Sequence, residues 1–237
     1  MSTARWLDSL TPPSAAQARA SLQATGAQVW AGYVVRTDAA WSAAQAMAVA
    51  SVGCRVVPII VPLAGQDLGA LAATAHPRLA LWPTLPRRWL VWDLEGGDGW
   101  TVQTACNAWP TIRSVTAGIG RVPVLYMPAS WLAALATRRD LDPMPSAVWA
   151  ANWVPGGWPG SPAQIPGMPD AIWSHPGQRA WQWRDALDAA GFQVDATISD
   201  LPMDAPAPAP VPAPTPTTPD LPSGTYLVPA GVTIIVP

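Results

Sequence analysis

"RWLVWDLEGGDGW", residues 88–100, is an apolar run that carries two carboxylates two positions apart and then breaks on glycines. It reads as a strand followed by a turn. Successive side chains of a strand point to opposite faces, so Asp93 and Glu95 face the same side, next to the strand's end. Two like charges held side by side are costly unless something uses them.

Short apolar runs like this one recur on both sides of it. They are residues 5–10, 28–35, 54–62, 121–127, 147–153, 179–183 and 192–198, which with 88–95 make eight. Several are continuous β-branched or aromatic runs, the pattern of strands covered on both faces in a parallel sheet. Helix-like pieces lie between them. Residues 12–26 start on Pro and end on Gly, and 38–53 open on Asp38 and close on Gly53. Residues 98–120 hold Pro110, which is expected to break or kink them, and 128–139 end on arginines that suit the helix dipole. Residues 155–170 read as loop, and a short seventh helix is expected around 184–190. Eight strands with helices between most of them predict an α/β fold, a somewhat degenerate (β/α)8 TIM-like barrel. A doubly wound open sheet is the main competitor. No GxGxxG follows the first strand, which argues against a dinucleotide site.

Half of the 237 residues are apolar and 12% are charged, so the chain is rich in core. The net charge of −2 and the lack of a basic patch argue against a nucleic-acid partner. Cys54 and Cys106 form no CxxC or Cys/His cluster, so neither a disulfide framework nor a metal site is expected. No apolar stretch is long enough for a membrane span. The opening "MSTARWLDSL" has no apolar segment of the secretory kind. Composition divides the chain into a barrel (1–203), a Pro-rich linker (204–222) and an apolar tail (223–237). The linker cannot pack a core and should run extended. The tail reads as a docking peptide that adds a strand to a partner, or as a strand that folds back on its own domain.

Active sites of parallel barrels sit at the C-terminal ends of the strands. Asp8 ends strand one, Asp93 and Glu95 end strand four, and Asp195 lies late in strand eight. Strands one and eight are neighbours in a closed barrel and strand four faces them, so four carboxylates can share one mouth. Such a set suits acid-catalysed cleavage of a glycosidic bond. Burial and like charge would keep Glu95 protonated as general acid, while Asp93 stays ionised to stabilise a cationic sugar or to orient a 2-acetamido group. The alternative is that Asp93 caps the following turn and Glu95 is solvated. Fifteen Trp against one Phe add a second hint, since indole faces stack on sugars. Trp149, Trp153, Trp158, Trp173, Trp181 and Trp183 gather near the later strand ends; Trp149, Trp181 and Trp183, with Tyr126, are the candidate substrate-binding set. His76 and His175 both precede Pro in expected loops and have no Ser or Cys partner for a triad.

These residues carry a resemblance. "VWDLEGG" resembles the DxE strand of the family 25 glycoside hydrolases, the lysozymes that cleave peptidoglycan. "VPVLYMPASWL", "AVWAANW" and "AWQW" followed by "VDATISD" are similar to that family's later strands. The opening "RWLDSLTPPSAAQARASL" looks closer to related glycoside-hydrolase-like domains of unknown function in actinobacteria and their phages. The resemblance covers roughly residues 4–200 and departs from the pattern at Asp195-Ala196-Thr197, where an amide is replaced, and at Trp6-Leu7, where a glycine usually precedes the first Asp. It implies a barrel, a cell-wall glycan substrate, no cofactor, and Asp8, Asp93, Glu95 and Asp195 as the family's carboxylates with Glu95 as the acid. It also implies a phage product, in the virion or in host cytoplasm before release. The alternative function is an inert minor tail protein that binds wall glycan and docks through residues 223–237.

Overall fold

Residues 4–8 begin a closed ring of eight strands in a computed structural model that describes residues 3–36, 40–83, 89–138, 144–168, 173 and 178–202, and the backbone of 224–227 and 233–236. The strands are β1 (Ala4–Asp8), β2 (Val29–Val35), β3 (Arg55–Ile60), β4 (Trp89–Asp93), β5 (Val122–Pro128), β6 (Val148–Ala151), β7 (Arg179–Asp188) and β8 (Gln193–Ser199), paired in that order. β1 to β7 run parallel. β8 does not: it pairs antiparallel with both β7 and β1, with Asp8 opposite Asp195.

Five helices among the described residues cover the outside, one after each of the first five strands. α1 (Ala15–Thr25) starts on a capping box between Ser14 and Gln17 and stops at Gly26, whose φ of 68° suits glycine. α2 (Ala43–Ala50) is capped by Ser42 rather than by the expected Asp38, which lies outside the described residues. α3 (Leu68–Leu79) falls where only loop was expected, so His76 sits in a helix; His175 lies outside the described residues. Asp67 caps α3 by accepting from the N–H groups of Gly69 and Ala70 at 2.8 and 3.1 Å, and Leu68, Ala72, Ala75 and Leu79 form its buried face. α4 (Val102–Gly118) continues past Pro110. The lost backbone bond costs about 3 kcal/mol, and burial of Ala105, Cys106, Trp109 and Ile112 on the inner face offsets it. α5 (Ala129–Leu135) is shorter than the expected 128–139.

The expected helix at 184–190 is absent. β7 instead runs on to Asp188 and turns back into β8 as a hairpin, with Ala190 and Gly191 in left-handed conformations. A hairpin can join only antiparallel strands, so this turn is what reverses β8.

The inside of the ring is aromatic. Trp6 and Trp149 meet edge to face at 5.5 Å, and Tyr126 meets Trp149 the same way at 5.3 Å. The Trp149 indole N–H donates to Thr197 Oγ1 at 3.1 Å. On β2, Gly32 is required by close approach: a Cβ there would come within 2.7 Å of the Trp41 ring. Beyond the barrel, β9 (Gly224–Leu227) and β10 (Thr233–Val236) form a separate antiparallel pair.

The seam between β7 and β8 is bolted at the end away from the strand tips. Arg179 Nε donates to Asp200 Oδ2 and the Arg179 backbone N–H to Asp200 Oδ1, both at 2.8 Å. Arg179 Nη1 also donates to the Trp173 carbonyl at 2.9 Å. Both side chains are buried, so removing one leaves a bare charge. Asp200→Ala is expected to destabilise the fold by about 3–5 kcal/mol, read from urea unfolding by tryptophan fluorescence. A loss within the surface range of about 0.5 kcal/mol would contradict this role.

Candidate active site

Asp8 is the last residue of β1, and alternation along that strand puts it on the same side as Trp6, inside the ring. Asp93 is the last residue of β4 and Glu95 lies two positions on, where Gly96–Asp98 form a short 3-10 turn. Asp195 reaches the same opening from the other direction. It is the third residue of β8, not a late one, and it stands at the mouth because β8 runs backwards. Asp8, Asp93, Glu95 and Asp195 thus line one cavity of about 140 Å³ with Tyr126 and Trp149.

Besides the apolar Ile59 and Val91, four further residues line it that the strand-end reading of acids did not single out: Tyr33, Arg36, Gln182 and Trp153. Arg36 follows β2 directly, and its guanidinium sits 5.3 Å from the Tyr33 ring. A polar residue at a barrel strand's C-terminal end was a readable signal there. Trp153 is 57% exposed at the rim. Gln182 sits between Trp181 and Trp183, and alternation explains the outcome: the amide points into the ring, so its two neighbours cannot. Trp181 is buried, its indole N–H donating to the Asn152 carbonyl at 2.7 Å. Trp183 packs on Trp158 at 5.4 Å, and Arg5 covers Trp158 at 4.8 Å. Neither Trp181 nor Trp183 lines the acid cavity, although Trp183 borders a second recess that Trp153 shares.

Hydrogen bonds cross the mouth in a chain. Tyr126 Oη lies 3.1 Å from Glu95 Oε1 and in close contact with Gln182 Oε1. Gln182 Nε2 donates to Asp195 Oδ2 at 2.9 Å, and the Ala186 N–H donates to Asp195 Oδ1 at 3.0 Å. Ala186 has φ 46°, a left-handed conformation at an irregularity in the β7–β8 pairing, and that bend aims its N–H at the carboxylate. Asp8 Oδ2 and Asp93 Oδ1 are buried without a hydrogen-bond partner. Buried polar atoms are rarely left so unless they serve a ligand or a reaction.

The electrostatics follow from this crowding. Burial first, then the charges of Asp195, Asp93 and Glu95, push the Asp8 carboxyl well above the usual range. Burial and then Glu95 and Asp98 do the same to Asp93, against an opposing pull from Arg36. These pressures act against the ionised form expected of Asp93. Burial also raises Glu95, partly offset by the Tyr126 hydroxyl. It raises Asp195 too, partly offset by the Ala186 N–H and Gln182. Among the described residues no group of His, Cys, Asp and Glu is arranged to hold a metal ion. Cys54 and Cys106 are buried and form no disulfide, and burial pushes the Cys54 thiol up to about 12. Among the described residues no helix is long and apolar enough to cross a membrane.

No family model matches the sequence, and neither does any curated protein. Solved structures do match. A lysozyme from Streptomyces coelicolor is 17% identical, with a TM-score of 0.52, over 83% of this chain and 92% of that one. A muramidase from Acremonium alcalophilum is 16% identical, with a TM-score of 0.55, over 83% and 92%. An uncharacterised protein from B. stearothermophilus is 15% identical, with a TM-score of 0.54, over 82% and 94%. The chain shares the barrel fold of these lysozyme and muramidase structures.

Raised carboxyls make stability depend on pH in an unusual sense. The folded protein keeps protons that the unfolded chain releases above about pH 4. Because the native state then binds more protons, the stability these groups contribute is full below about pH 4 and is lost as pH rises through the raised values. Asp8→Asn removes one such group. Its thermal midpoint at pH 7 is expected to exceed that of the wild type, and its loss of stability between about pH 4 and pH 7 to be smaller. A midpoint at pH 7 equal to or below the wild type's would contradict the buried-acid account.

Proposed function

We propose that the barrel is a peptidoglycan-targeting glycoside hydrolase that cleaves its substrate as muramidases do, with Glu95 as general acid. The observation that carries this reading is the convergence of Asp8, Asp93, Glu95 and Asp195 on one aromatic-floored cavity. The lysozyme and muramidase folds that the chain shares support the substrate class. Glu95 is half-buried at the opening, where a sugar–sugar oxygen can reach it. It gives its proton to that oxygen as the C1–O bond breaks, and positive charge develops on the ring. The growing positive charge favours the carboxylate form of Asp93, against the burial that opposes it. Where the sugar carries a 2-acetamido group, its carbonyl closes on C1 with Asp93 orienting it. Water, deprotonated by the Glu95 carboxylate, then opens the intermediate. Trp149 forms the floor and Trp153 offers an exposed indole for stacking at the rim.

A second reading rests on the C-terminal hairpin. Residues 205–222 alternate Pro with small residues, and β9 pairs with β10 apart from the barrel. An isolated two-stranded ribbon is marginally stable in water, so a partner surface would complete it. On this reading the protein is a phage virion component, held by residues 223–237, whose barrel meets the cell wall; the two readings are compatible.

Turbidity clearing of purified cell walls tests the first. Glu95→Gln should slow clearing by about 10²–10⁴-fold while the protein stays folded; clearing at the wild-type rate removes Glu95 from the mechanism. For the second, deletion of residues 223–237 should abolish incorporation into particles and leave clearing intact. Normal incorporation would discard the docking role.

A further inference from the structure

The hydrogen bonds across the cavity do not balance with all groups in their ordinary states. Tyr126 has one hydroxyl hydrogen, yet its oxygen faces two acceptor oxygens, Glu95 Oε1 and Gln182 Oε1. In this orientation Gln182 Nε2 donates to Asp195 Oδ2, which leaves its Oε1 facing Tyr126. With both carboxyls ionised no arrangement satisfies every contact, and two arrangements do so with a single carboxyl proton. In the first, Gln182 donates to an ionised Asp195, Tyr126 donates to Gln182, and Glu95 carries a proton that it donates to Tyr126. In the second, the amide is turned over: Gln182 donates to Tyr126, Tyr126 donates to an ionised Glu95, and Asp195 carries the proton and donates to Gln182. One carboxyl proton is thus the fewest that the contacts allow.

We infer that Glu95 and Asp195 share a single proton through the Tyr126–Gln182 bridge, and that Gln182 is the positioning residue that assigns it to Glu95. The inference rests on Glu95 being the acid for its use in catalysis, but not for its existence. The first arrangement is the resting one, because Asp195 also receives the Ala186 N–H and is held as a carboxylate by two donors. The bridge also serves the second half of the reaction. Once Glu95 has given up its proton, the bridge lacks the one carboxyl proton its contacts require, so the new carboxylate is set to take a proton from the incoming water. Other charges face the pair from every side: Asp8 on β1, Arg36 past β2, Asp93 on β4, Asp98 in the turn after it, and Asp185 on β7. They move both titrations, but they do not tie one to the other in opposite senses.

The test is a carboxyl-carbon NMR titration of Glu95 and Asp195 in the full chain, without substrate. In the wild type both resonances are expected to change over the same two steps, since coupled groups titrate as a pair. Two independent single-step curves would overturn the inference, even if no variant folds. Gln182→Met keeps the volume and removes the amide. The Glu95 midpoint should then fall, because Tyr126 is free to donate to its carboxylate. The Asp195 midpoint should rise, because it loses a donor. Midpoints that stay put or move the same way would show that Gln182 only fills space. In the Tyr126→Phe background, Gln182→Met should no longer move Glu95, and a persisting shift would also overturn the bridge. The alkaline limb of kcat/KM for wall cleavage should move to lower pH in Gln182→Met. A Glu95→Gln protein that clears walls normally would refute the hydrolase reading while leaving the titration result standing.

Discussion

The reversal of β8 is the constraint on which the rest of the structure depends. Seven parallel strands bring their C-terminal ends to one rim, and an eighth parallel strand would have carried Asp195 toward a different depth in the ring. The hairpin at Ala190 and Gly191 turns the chain back instead, and antiparallel pairing sets Asp195 directly opposite Asp8. The same reversal places Ser199 and Asp200 at the far end, where the carboxylate of Asp200 locks Arg179. One local feature, a short turn with two left-handed residues, thus fixes both the acid cluster and the bolt that closes the barrel beneath it.

The cluster works against the fold it sits in. Carboxyls without partners in a dry cavity cost stability, and a protein that needed only a barrel would fill these positions with apolar side chains. Trp6, Trp149 and Tyr126 pack against one another below the cavity and close it from the core side. Burial raises every acid in the site, and the same pressure favours the protonated form that a general acid needs. Arg36 relieves part of the repulsion at Asp93, and the Ala186 N–H and Gln182 relieve part of it at Asp195. The remaining imbalance is the chemical capacity of the site.

Much of this was legible in the residues. Continuous runs such as "CRVVPIIVP" and "RWLVWDLE" are strands buried on both faces, and all eight expected strands form. The four acids were legible because a carboxylate at the end of an apolar strand has few reasons to be there. What was not legible came from tertiary context. Strand direction does not show in a sequence, so Asp195 reached the right place for a reason other than the expected one. The run around Arg184–Asp188 has no pattern of its own that separates helix from strand, and pairing with β8 decided it. α3 was hidden by Pro77, which removes a backbone donor but not the buried face from Leu68 to Leu79. Gln182 was overshadowed by the two tryptophans beside it, although the alternation that turns Gln182 inward also turns Trp181 and Trp183 away.

A crystal structure of the Glu95→Gln protein with a short peptidoglycan glycan tests the central claim most directly. The account predicts that the sugar–sugar oxygen lies within hydrogen-bonding distance of the side chain at position 95, with one ring over Trp149 and the next against Trp153. A glycan bound with its linking oxygen away from position 95, or held only at the outer recess beside Trp183, would contradict it.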